Sequence, residues 1–204
     1  NVFSLGGERV KAIKHSIRPE ITHTYIPNVD QSDLPNFDAI DRVDNTNLLT
    51  YSLTNILTSK SLREGSFEIN RRVDRTQAGV IDSVADHAYN DFLRFKLLQT
   101  YDINEGKESN PDKPFSPISA ELDLFPGKYI AVDADASWSV YDMDILSHNI
   151  AANLWDNRGD QLSIEYRYTK DSTEIEANET KSLWTALTVK VNDRLTLTGN
   201  YEYN

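Results

Sequence analysis

The sequence predicts an all-β fold, an antiparallel meander of about nine strands in the pattern of a β-barrel wall. Three observations predict it. Apolar and polar residues alternate with a period of two in run after run, as they do where an extended chain presents two different faces. The links between runs alternate in length, which suits a meander whose two rims differ. Aromatic residues gather at the ends of the runs while aliphatic ones hold the middles, as in the girdles of membrane barrels. No sustained helical period accompanies them, so a parallel α/β sheet is not expected.

Composition narrows the classes. The chain has 204 residues, of which 21 are basic and 32 acidic, for a net charge of −11. No nucleic acid is expected as a partner, because phosphate binding needs a basic surface. The hydrophobic fraction of 39% is low for a globular domain. No apolar run reaches the roughly 18 residues of a membrane-crossing helix. Membrane strands need less, because only alternate residues face lipid. There is no cysteine, which removes disulfides and thiolate metal sites from these residues. The chain begins Asn-Val-Phe without a signal-peptide pattern and ends inside an alternating run, so both ends are expected to be cuts in a longer protein.

In order, residues 1–9 read as the end of a preceding element with a turn at Gly6-Gly7. The opening strand spans about 10–26 and contains the clearest alternation. There Ile13, His15, Ile17, Pro19, Ile21, His23 and Tyr25 oppose Lys14, Ser16, Arg18, Glu20, Thr22 and Thr24. Pro19 cannot donate to a ladder, so a bulge or a missing hydrogen bond is expected there. The stretch 27–45, with its prolines and many aspartates, reads as a long polar loop. Alternation resumes over 47–58, with Leu49, Tyr51, Leu53 and Leu57 against Thr50, Ser52, Thr54 and Thr58. Residues 59–88 are charged and aperiodic, an insertion or long loop with room for a short helix around 78–87.

The run over 89–103 sets Leu93, Phe95, Leu97 and Tyr101 against Arg94, Lys96, Thr100 and Asp102. After a loop at 104–114 come strands near 118–125 and 130–140, joined by a short turn at Pro126-Gly127. Further strands follow near 146–154, 162–168, 183–191 and 195–203. The links at 27–46, 104–114 and 169–181 are long, whereas those at 126–128, 156–160 and 192–194 are short. Two links break the rule: 59–88 is long on the short-turn side, and 141–145 is short where a long one is due.

Alternation does not say which face is wet. A soluble barrel or sandwich would bury the apolar face, and a membrane barrel would turn it to lipid. Long strands, a Ser/Thr/Asn-rich polar face and a mostly aliphatic opposite face favour the membrane. A Lys or Arg at the bilayer midplane would cost about 2–4 kcal/mol. None lies mid-strand on the apolar faces; Asp91, Asp144 and Lys181 fall at their ends.

Several segments, in order, resemble the LptD family of outer-membrane lipopolysaccharide-assembly proteins. HSIRPEITHTYIPNVDQSDLPNFD at 15–38 is similar to a strand of that family with P-E-x-x-x-x-Y-x-P and the D-Q-S-D of its long loop. LRFKLLQTYDI at 93–103, ELDLFPGKYIAVDADASWSVYD at 121–142 and LSIEYRYTKD at 162–171 resemble its barrel strands. VNDRLTLTGNYEYN at 191–204 looks like a strand pair near its C-terminus. The resemblance implies that residues 1–204 are a partial barrel domain, from the C-terminal half of a large transmembrane β-barrel in the outer membrane of a Gram-negative bacterium. It implies lipopolysaccharide as cargo, a plug lipoprotein like LptE and periplasmic bridge proteins as partners, and membrane lipid around the wall. It implies no enzyme activity and no cofactor. The family's disulfide cysteines lie outside these residues. A porin-like barrel, or a soluble β-barrel binding a small apolar ligand, remains open on the pattern alone.

Candidate chemistry is sparse. His15 and His23 share a face, but eight residues of strand hold them about 26 Å apart, too far to share a metal. Asp38, Asp41 and Asp44 lack the EF-hand spacing and read as a solvated loop. Asn178-Glu179-Thr180 matches a glycosylation sequon by chance. No G-x-S-x-G, H-E-x-x-H or P-loop is present. Glu121/Asp123 and Asp133/Asp135 alternate along hairpin strands, which suits a hydrated lumen lining better than a catalytic carboxylate pair. With Arg94 and Lys96 on the preceding strand, these six residues are expected to form a lumen-facing charge ladder, open also to a plug partner. Opposite-charge cross-strand pairs contribute roughly 0.2–1 kcal/mol each.

Overall fold

A computed structural model describes residues 1–5, 10–33, 43–62, 87–108, 113–171 and 178–204. They form one antiparallel sheet of ten strands in sequence order. The strands are β1 (Val2–Ser4), β2 (Val10–Ile26), β3 (Thr46–Leu62), β4 (His87–Asp102) and β5 (Ile118–Gly127). They continue as β6 (Ile130–Trp138), β7 (Ile145–Trp155), β8 (Gln161–Asp171), β9 (Asn178–Asn192) and β10 (Leu195–Tyr203). One 3-10 turn, Glu105–Lys107, follows β4. Among the described residues β1 and β10 are the two edges and the sheet is open. No described helix is long and apolar enough to cross a membrane, which leaves crossing by strands untouched.

All nine expected strands are present. The tenth, Val2–Ser4, pairs with Ala12–Lys14 of β2; three residues are too few to display a period. The turn expected at Pro126-Gly127 forms instead at Lys128-Tyr129, with Gly127 still paired to Ile130. Of the tract 59–88, residues 59–62 extend β3 and residues 87–88 open β4. The rest of that tract, the turn at Gly6-Gly7, and Asp38 and Asp41 lie outside the described residues. Links 27–45, 103–117, 139–144 and 172–177 leave one rim, and 128–129, 156–160 and 193–194 leave the other.

No bulge forms at Pro19, which pairs in register with Leu53. The reason is directional. The His15 N–H donates to the Asn1 carbonyl on the side of β2 away from β3. Successive residues alternate sides, so Pro19 lies on the side His15 does and withholds nothing from β3. A bulge does occur opposite Leu57/Thr58 in β4. It rotates Asp91 onto the polar face, where Thr58 Oγ1 donates to its carboxylate at 2.6 Å. The expectation that Asp91 ends an apolar run is therefore corrected, because one extra residue inverts the parity of the strand.

Register assigns the two faces. One row runs Leu53–Leu97–Ala120–Ala136–His148–Tyr168, and its neighbours are mostly aliphatic. The other face carries Thr54, Lys96, Glu121, Asp135, Asn149 and Arg167 in one row. Among the described residues no second layer covers either face. The buried hydrophobic residue among those described is Ala131, at 8% exposure, whereas Ile21 is 74% exposed. A soluble sandwich or closed lipocalin-like barrel would bury its apolar side chains.

Candidate functional site

The polar face of β4–β8 gathers the charges. Arg94 stands opposite Asp123, which stands opposite Asp133. One residue pair along, Lys96 stands opposite Glu121, which stands opposite Asp135. Arg94 reaches both acids of β5: Nη1 donates to Asp123 Oδ2 at 2.8 Å and Nη2 to Glu121 Oε2 at 3.2 Å. No ion pair holds Lys96 among the described residues. Opposite charges therefore meet between β4 and β5, while like charges meet between β5 and β6. Directly opposed like charges are unfavourable across a sheet.

Asn149 and Arg167 extend the pattern beyond the six expected residues. Asn149 Nδ2 donates to both oxygens of Asp135, at 3.2 and 3.0 Å. Arg167 Nε donates to Glu165 Oε1 at 2.6 Å within its own strand. The signal for these residues was present in the alternation of 146–154 and 162–168. Small side chains at Ser119, Ser137 and Ala151 leave a groove of about 820 Å³ over this wall. Its surface carries more acid than base, and nothing in it pairs a nucleophile with a base.

The apolar face carries two hydrogen-bonded polar pairs that sequence reasoning missed. His15 Nε2 donates to Asn55 Oδ1 at 3.1 Å, and His23 Nε2 donates to Asn47 Oδ1 at 2.9 Å. Asn47 Nδ2 passes the chain on to Asn104 at 3.3 Å. Each imidazole is committed to an amide, and among the described residues no three potential metal ligands gather. Aromatic rings collect toward the rim of the long links, with Tyr101 against Phe115 at 4.8 Å and His148 against Tyr168 at 4.9 Å.

A two-faced meander, one face charged and one aliphatic with aromatic ends, suits a membrane-barrel wall. The family model LptD, LPS transport system D, matches residues 7–204. The chain belongs to the LptD family. No curated protein matches it. The LptD family is one of outer-membrane β-barrel transport proteins, and membership supports a role in lipopolysaccharide transport to the outer membrane. LptD is a family of transport proteins rather than enzymes.

Proposed function

We propose that these residues form part of the wall of an outer-membrane translocon that assembles lipopolysaccharide into the outer leaflet, without enzymatic chemistry. The face of Leu53, Leu97 and Tyr168 meets lipid, and the face of Arg94, Lys96, Glu121, Asp123, Asp133 and Asp135 lines a hydrated lumen. The observation that carries this reading is the order of side chains up the first face of β7–β9. Leu154, Leu162 and Leu187 form one row, followed by Ala152, Ile164 and Thr185. Ile150, Tyr166 and Leu183 come next, and then His148, Tyr168 and Lys181. Beyond them Lys170 bonds Asp144 at 2.6 Å and Lys181 bonds Glu179 at 2.8 Å, with the Lys181 ammonium 5.6 Å from the Tyr168 ring centre. From the rim of the short turns to that of the long links the order is aliphatic, then aromatic, then charged, which suits a membrane face rising to an interface at the long links.

The charged wall supports contact with a plug lipoprotein of the LptE kind, and cargo would arrive from periplasmic bridge proteins. His15–Asn55 and His23–Asn47 fit a lipid-facing surface because in each pair the imidazole Nε2 and the amide Oδ1 satisfy one another. A soluble barrel binding an apolar ligand is disfavoured by the uncovered apolar face, and a general porin by the family. The experiment is depletion of the protein followed by assay of lipopolysaccharide at the cell surface. Surface lipopolysaccharide should fall, and an unchanged level would reject the transport role.

A further inference from the structure

We infer that the polar face carries a sugar-binding pocket just inside the rim of the long links, between the segment 113–117 and the turn 139–144. The cavity is about 440 Å³, within the range of small-molecule clefts. Leu48 and Leu146 line it together with Pro114, Pro117 and Tyr141. Asp102, Asp142 and Lys113 supply its charged groups. The inference rests on the transport reading above and specifies which part of a glycolipid this chain grips.

The pocket is built rather than incidental. The Phe115 N–H donates to Tyr141 Oη at 2.7 Å, tying the two walls across 26 residues of chain. The Thr100 N–H donates to Ser116 Oγ at 2.9 Å, and Gln99 Nε2 donates to the Ser116 carbonyl at 3.0 Å. Ser139, only 6% exposed, donates through Oγ to Asp142 Oδ2 at 2.9 Å. Such bonds hold the irregular backbone in one shape before any ligand arrives.

The unused valences select the ligand. Asp102 spends Oδ1 on the N–H groups of Asn104 and Glu105, and Asp142 spends Oδ2 on Ser139 and, at 3.8 Å, on Lys113. Among the described residues one oxygen of each carboxylate is left to accept a bond, and the Lys113 ammonium, 5.8 Å from the Tyr141 ring centre, keeps protons to donate. Two acids against one base oppose a phosphate. A long acyl chain would strand the free carboxylate oxygens without partners. A neutral pyranose suits all three groups: its hydroxyls donate to Asp102 and Asp142 and accept from Lys113, while its C–H faces rest on Pro114 and Pro117.

The test uses the protein in detergent micelles and the oligosaccharide freed from lipopolysaccharide by mild acid. Saturation-transfer NMR should show saturable binding that inorganic phosphate does not displace. Asp142→Asn and Tyr141→Phe should each weaken it about tenfold or more, as for loss of one charge-assisted bond or of the wall's anchor. Bound oligosaccharide should also slow acetylation of Lys113 in the unsubstituted protein, a readout free of any folding defect in the variants. Absence of saturable binding, displacement by phosphate, or equal Lys113 acetylation with and without oligosaccharide would overturn the pocket. Those results leave the transport reading standing, because the depletion assay measures surface lipopolysaccharide independently of this pocket.

Discussion

Gly106 shows how a single residue can be dictated by a neighbour. A Cβ there would run into the ring and hydroxyl of Tyr101, which itself packs on Phe115 at 4.8 Å. Gly106→Ala should cost about 1–3 kcal/mol through that overlap, measured as a drop in the unfolding midpoint of the detergent-solubilised protein. The turn after β7 is equally specific. Asp156 Oδ1 accepts the N–H groups of Arg158, Gly159 and Asp160, each at 2.9 Å, and Gly159 has φ +97°. Asp160 is held below the usual carboxylate range, first by the Arg158 guanidinium and then by the Lys190 N–H. A carboxyl lowered on folding stabilises the native state above its unfolded pKa and loses that contribution as pH falls through the folded value. Asp160→Asn should therefore unfold more readily than the parent at neutral pH. The difference should vanish in acid below the carboxylate range, as followed by circular dichroism at each pH.

At the scale of elements, the hairpin of β5 and β6 carries an unresolved electrostatic conflict. Arg94 is the cation holding Glu121 and Asp123, and Asp133 and Asp135 face those same acids. The groups are about half exposed, so the pair alone is worth at most about 1 kcal/mol after solvent screening. Arg94→Gln should destabilise by that order. Adding Asp133→Asn should recover part of the loss, a coupling that a double-mutant cycle in urea would measure. If the two changes are simply additive, the carboxylates are not acting on one another. The alternation that revealed these strands also revealed which residues share a face, because side-chain direction follows parity. It could not reveal Asp91, because a single bulged residue inverts parity without a mark in composition. The six residues of the expected ladder share one face, and along it the signs alternate only once. That follows from register, which the sequence leaves free until the turn at Lys128-Tyr129 is known. The rim pocket was invisible for a related reason, since its walls are brought together by bonds between segments lacking any period.

For the whole molecule, the question is which face meets lipid, and substitutions at neighbouring positions of β4 test it. Leu97 lies mid-run on the aliphatic face between Leu53 and Ala120, whereas Leu98 lies between Ser52 and Ser119. Leu97→Arg should cost about 2–4 kcal/mol when folding is measured in bilayers. Leu98→Arg should change stability by about 0.5 kcal/mol or less. Equal effects would remove the sidedness on which the transport reading stands.

The strands differ in length in a way that bears on the outline of the molecule. β2, β3 and β4 have 17, 17 and 16 residues, against 10, 9, 11 and 11 in β5 to β8. At the rim of the short turns β4 continues past its last pairing with β5, at Leu93, down to His87. The added stretch is polar, with Ser59 opposite Asn90, Lys60 opposite Tyr89 and Ser61 opposite Ala88. Six residues advance about 20 Å along the strand. β5 runs beside the first half of that stretch as far as Gly127, so β4 overhangs the neighbouring hairpin by about 10 Å, and a wall in a bilayer would carry a hydrophilic lip there. Cysteine placed at Ser61 should react with a membrane-impermeant maleimide in proteoliposomes exposing that rim, and cysteine placed at Leu154 should not.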